Sequence, residues 1–199
     1  MGSFAMCFQV RSLLLALCIA SLSLGRGGVA QDASAGKGAL PANSITEIAF
    51  GKLKGLSGTW TGQVTTDPPN PEINGPIQVT MRVASAGNVV MHEIAPGGIP
   101  EPTMIYLEDG RLTLVHYCEA GNRPRLIAVR STNPNAVEFR FVDISGSKSP
   151  VYLESFVFTI IDANHHAEDW TFKSPDNSML HAHFDLKRAN GVPVPTTQR

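Results

Sequence analysis

Cysteine is scarce in this 199-residue chain, and two of its three cysteines, Cys7 and Cys18, stand in the first eighteen positions. Cys118 is then left alone in the body of the sequence, which excludes an internal disulfide there once the N-terminal stretch is removed. An excess of basic charge is also missing: 16 Lys and Arg face 17 Asp and Glu, with no basic run. A chain of that kind is a poor match for a phosphate backbone, so nucleic acid is not an expected partner. The longest apolar run, Leu13 to Leu24, falls short of the roughly 20 residues that span a bilayer, and no membrane span is expected. Gly-x-Ser-x-Gly, His-Glu-x-x-His, Cys-x-x-Cys and a glycine-rich phosphate loop are all absent. With no such signature, the sequence leans away from an enzyme.

What is present begins with targeting. Arg11, the short apolar run and the small residues Gly28-Val29-Ala30 have the layout of a secretory signal peptide over 1–30, pointing to a secreted or periplasmic protein. Loss of that segment removes Arg11 and Arg26 and brings the formal net charge to about −3. Residues 31–44, rich in Ala, Gly and Ser, read as a disordered leader, and 191–199 as a flexible Pro-containing tail. The remainder, 45–190, has the size of one domain.

A short helix is expected over 45–54, with Ser44 or Thr46 as cap and Ile45, Ile48, Phe50, Leu53 and Leu56 sharing a face. Beyond it the texture is β. Ten short segments, from Gly58–Thr66 to Met179–Arg188, are separated by turns such as Asp109-Gly110 and Asn133-Pro134-Asn135. Strict alternation in Ile77, Val79, Met81 and Val83, and again in Leu180, Ala182, Phe184 and Leu186, gives each strand one dry face. The expectation is all-β: an antiparallel up-and-down barrel of about ten strands with a short N-terminal helix.

Candidate site residues follow from the same alternation. His116 and Cys118 end the apolar run Leu112–Val115 and share the face of Leu112 and Leu114. His92 shares a face with Val90 and Ile94 and is the expected partner of His116. Glu168 falls with Trp170 and Phe172 on a face taken to be inward, where a carboxylate needs an arginine or His116 beside it. Arg125, in the Gly121–Arg125 turn, is a candidate for holding a carboxylate at the barrel mouth. His181 and His183 fall on the wet face, and His165-His166 in an exposed turn. No metal site is assigned, since His116 and Cys118 supply two ligands where a site needs three or four.

Gly58-Thr59-Trp60, directly after the helix, and Arg188, closing the last strand, resemble the signature of the calycin superfamily of lipocalin-like and fatty-acid-binding-protein-like barrels. More narrowly, His116-Tyr117-Cys118 and Gly121-Asn122-Arg123-Pro124-Arg125 resemble secreted bacterial barrels of unassigned function. The resemblance implies a basic residue, Arg188, packed over the Trp60 indole at the closed end. It also implies a small, largely apolar or amphipathic ligand inside, lined by Val79, Met81, Leu114, His116, Cys118, Phe156, Phe158, Trp170 and Phe184. Heme held by an inward His116 or His92 is the alternative ligand, and a filled structural barrel or an unrecognised enzyme the others.

Overall fold

The computed structural model describes residues 42–146 and 150–189. The expected signal peptide, all but the last residues of the leader, and the tail lie outside them. Helix α1 (Ala42–Gly55) leads into ten strands: β1 (Gly58–Asp67), β2 (Gly75–Ala84), β3 (Val89–Ile94), β4 (Glu101–Glu108) and β5 (Arg111–His116), followed by β6 (Asn122–Val129), β7 (Ala136–Gly146), β8 (Tyr152–Asp162), β9 (His165–Lys173) and β10 (Met179–Arg188). Each strand pairs antiparallel with its sequence neighbours, and β1 pairs with β10, so the sheet closes into a barrel without a free edge. This is the expected all-β architecture. None of the described helices is long and apolar enough to cross a membrane.

The turns are set by local chemistry. Glu108 and Arg111 pair across Asp109-Gly110, whose φ values of 49° and 74° are those of a two-residue hairpin turn. Strand β5 ends at His116, earlier than its apolar pattern suggests. The Cys118 amide donates to the Asn122 carbonyl and the Gly121 amide to the Cys118 carbonyl, which turns the chain before Cys118 can extend the ladder.

An up-and-down barrel sorts its loops onto two ends. The β2–β3, β4–β5, β6–β7 and β8–β9 turns gather with α1 at one end. There Phe50 and Leu53 of α1, with Leu56 just after it, join the core. The helix spans Ala42–Gly55, so Ser44 and Thr46 fall within its range, and Ile45 and Ile48 are exposed instead of sharing the buried face. The helix is tied to the barrel by Trp60, whose Nε1–H donates to the Leu56 carbonyl at 2.8 Å.

Arg188 closes this end. Its guanidinium lies 4.2 Å from the Trp60 ring centre and donates to the carbonyls of Ser57 (2.8 Å), Ala163 (3.2 Å) and Gly55 (3.4 Å). Gly58 leaves room for it: a Cβ there would stand 2.5 Å from Arg188 Nη1, and the glycine's φ of +144° suits no other residue well. Arg188→Ala should lower stability by about 1–3 kcal/mol, with Arg188→Lys recovering part of it, read from the urea midpoint. An unchanged midpoint would mean that the stack is incidental.

Candidate functional site

Beneath α1 the barrel is packed with Val79, Met81, Leu114, Phe139, Phe156 and Phe158, all buried. Into this apolar stack the sheet alternation inserts a carboxylate. Glu168 on β9 is fully buried and accepts from three ring N–H donors. His92 Nε2 on β3 lies 3.1 Å from both carboxylate oxygens, His166 Nε2 3.0 Å from Oε1, and Trp170 Nε1 3.1 Å from Oε2. An ionised carboxylate offers only acceptors, so both imidazoles carry hydrogen on Nε2. The Nδ1 atoms of His92 and His166 have no hydrogen-bond partner.

Burial by itself would raise the pKa of Glu168. The charge of His92, with the hydrogen bonds from His166 and His92, outweighs burial and holds it at about 2. Aromatic edges wall the group in: Trp60 meets His166 edge-on at 4.2 Å, and His92 meets Phe156 edge-on at 5.6 Å.

A second polar group lies on the other side of Trp170, toward the opposite end of the barrel. His116 is fully buried and packs edge-on against the Trp170 ring at 5.3 Å. Its Nδ1 lies 2.8 Å from Thr103 Oγ1, and its Nε2 lies 3.5 Å from Glu101 Oε2 without making a hydrogen bond. Glu101, at the start of β4, also accepts from the Glu119 amide at 2.8 Å. Burial pushes the Glu101 carboxyl up, but His116 beside it and the Glu119 amide hold it below the usual carboxylate range. Cys118 is half-buried next to them; burial, with Glu101 and Glu119 nearby, pushes its thiol up and leaves it a weak nucleophile near neutral pH.

Glu101 and Cys118 border a cavity of about 460 Å³ at the end of the barrel opposite α1; His116 and Thr103 do not reach it. Ile77, Ile94, Trp170, Phe172, Leu180 and Phe184 supply much of its apolar wall, and Glu101 and Cys118 are among its polar lining. Trp170 thus separates the sealed Glu168 group from the open cavity.

No protein-family model matches the chain, and no curated protein matches it. Solved structures do. The crystal structure of Rv2717c from M. tuberculosis superposes with a TM-score of 0.51 at 14% identity, over 71% of this chain and 98% of that one. A protein of unknown function from the DUF3598 family of Nostoc punctiforme aligns at a TM-score of 0.48 and 11% identity, over 68% of this chain and 48% of that one. At such identities the likeness to Rv2717c supports the barrel and says nothing of a ligand.

Several sequence expectations about positions are corrected by the geometry. Arg125 is not at the mouth. It lies on the outer face of β6 and pairs with Asp143 of β7 and Glu108 of β4. His92 partners Glu168 rather than His116, the two histidines standing on either side of Trp170. Val79, Met81, Leu114, Phe156 and Phe158 fill the core instead of lining the cavity, to which Cys118, Trp170 and Phe184 do contribute. His166 is fully buried, not an exposed turn residue, because β9 begins at His165 and sets His166, Glu168 and Trp170 on one face. His181 and His183 are exposed on the outer face, beside Thr171 and Asp169 respectively. Glu101 and Thr103 were missed as partners of His116. Their signal was the alternation Glu101, Thr103, Ile105, buried at every second position.

Proposed function

We propose that this protein binds a small, largely apolar or amphipathic molecule in the cavity at the open end of its barrel, as calycin-like carriers do. The observation that carries the reading is the cavity itself. Its volume is within the ~300–1,000 Å³ typical of small-molecule sites, and its wall is mainly apolar with a few placed polar groups. Glu101 and Cys118 are positioned to orient a polar end of the ligand, while Phe172, Leu180 and Phe184 take its apolar body. Trp170 belongs to the cavity wall, and His116, buried against Trp170 and Glu101, is not part of the lining. The N-terminal targeting pattern supports work outside the cytoplasm, in the periplasm or beyond the cell.

Heme is the less favoured occupant. Its capture needs a histidine nitrogen free to reach iron, and His92 Nε2 is already engaged by Glu168 deep in the core. His116 is the remaining inward candidate.

Alternation along β10 offers a matched test. Leu180 faces the cavity and His181 faces out. Leu180→Glu places a charge in the apolar wall and should weaken binding of an environment-sensitive apolar dye at least tenfold, about 1.4 kcal/mol or more. His181→Glu should leave the affinity unchanged. Equal affinities in both variants would place the dye elsewhere.

A further inference from the structure

We propose that Glu101, His116 and Cys118 form a binding site for a single divalent, borderline-soft cation, of which Zn²⁺ is the best match. The site needs three kinds of donor on three stretches of chain. Glu101 opens β4, His116 ends β5, and Cys118 heads the turn that follows. One ligand atom from each lies within 4.8 Å of the other two. Carboxylate oxygen, imidazole nitrogen and thiolate sulfur together are a donor set that Zn²⁺ favours and that the hard cations Mg²⁺ and Ca²⁺ do not.

The geometry is near what a tetrahedral ion requires. Bonds of about 2.0–2.3 Å at tetrahedral angles put ligand atoms about 3.3–3.6 Å apart. His116 Nε2 and Glu101 Oε2 stand at 3.5 Å. The sulfur is carried by a turn rather than a ladder position, so it has the freedom to close the remaining gap.

A second observation points to the same place. His116 is fully buried, yet its Nε2 makes no hydrogen bond, an expensive arrangement for a polar atom in a protein interior. The other ring nitrogen is held by Thr103 Oγ1 at 2.8 Å. With Nδ1–H donated to that oxygen, Nε2 turns its lone pair toward Glu101 and Cys118. Orientation of a ligating histidine by a hydrogen bond on its far nitrogen is the usual support of a metal site. Glu101 is held in the same way, since its Oε1 takes the Glu119 amide and leaves Oε2 facing His116. Three protein ligands leave a fourth position, and because Glu101 and Cys118 line the cavity, that position faces it. An ion there would meet whatever polar group enters the cavity. Metal binding does not depend on the apolar-ligand reading.

The test is a titration of metal-stripped full-length protein with Zn²⁺ against a chromophoric chelator, and with Co²⁺ as a spectroscopic probe. One equivalent of Zn²⁺ should bind with micromolar or tighter affinity. Co²⁺ should give the intense visible bands of a tetrahedral ion and a sulfur-to-cobalt charge-transfer band. Cys118→Ser, at a half-buried turn position that tolerates the change, should abolish the charge-transfer band and weaken Zn²⁺ at least tenfold. Thr103→Val, close to isosteric, should weaken it about 10–100-fold through the lost hold on His116. Absence of stoichiometric binding would overturn the proposal. So would binding that survives Cys118→Ser but is lost in the double variant His181→Ala/His183→Ala, which would move the ion to the outer face.

Discussion

Glu168→Gln should cost this barrel about 3–5 kcal/mol and lower its melting temperature by roughly 10 °C or more. The carboxylate is fully buried and accepts from His92, His166 and Trp170. An amide of the same shape supplies one acceptor oxygen and turns a nitrogen donor toward rings that are themselves donors. The N–H that faced the replaced oxygen, that of His166 or of Trp170, then meets a donor in a place water cannot reach, and His92 keeps one of its two acceptors. The same residue fixes a pH dependence. Its pKa is about 2 in the folded protein against the usual 4.5. A depressed folded value means that stability is present in full above about pH 4.5 and is lost as pH falls toward 2. That difference corresponds to on the order of 3 kcal/mol. Other carboxyls with lowered values, Glu101, Asp143 and Asp185 among them, add to the acid limb. The comparison that isolates Glu168 is therefore wild type against Glu168→Gln from pH 6 to pH 3. The gap between them should narrow as pH falls. A gap constant with pH would show that Glu168 is not an ionised acceptor in the fold.

Gly62→Ala should be comparably damaging, for a steric reason. Gly62 pairs with Leu186 across the β1–β10 seam that closes the barrel. A Cβ at Gly62 would stand 1.8 Å from the Asp185 carbonyl oxygen and 2.8 Å from its carbon. Both are backbone atoms of a paired strand, so no side-chain rotation relieves the clash. Either the seam opens locally or the strands shift, at a cost on the order of 3 kcal/mol or more. Gly51, inside α1, has nothing within 4 Å of the equivalent position. Gly51→Ala should therefore be neutral or stabilising by about 0.5–1 kcal/mol, through helix propensity. Thermal melts of the two variants read opposite signs if the seam is packed as described. A Gly62→Ala protein as stable as wild type would contradict the β1–β10 closure.

The barrel was readable from the sequence because period-two alternation and turn residues are local signals. Asp109-Gly110 marks a hairpin on its own, and Leu180, Ala182, Phe184 and Leu186 declare a dry face without reference to any neighbour. The site was less readable because it depends on where strands begin. Starting β9 at Ala167 puts His166 in a turn; its true start at His165 buries that ring against Glu168 and Trp60. Starting β4 at Thr103 leaves Glu101 in a loop, whereas its pairing with Ile94 points it inward beside His116. Which inward residues fill the core and which line a cavity is a question of depth along the barrel axis. Val79 and Leu180 have the same pattern in sequence, and only the closed sheet puts Val79 in the core and Leu180 on the cavity wall. Arg125 was misread because its partners, Glu108 and Asp143, are distant in sequence and join it on the outer surface of the sheet.

Native mass spectrometry of the protein, purified under non-denaturing conditions and then exposed to fatty acids and hemin, tests the binding role most directly. A retained or acquired mass of one small molecule per chain is expected, and it should be absent from Leu180→Glu. A bare polypeptide mass throughout, with no uptake of either probe by the wild-type protein, would contradict it and leave a barrel whose open end holds no ligand of this class.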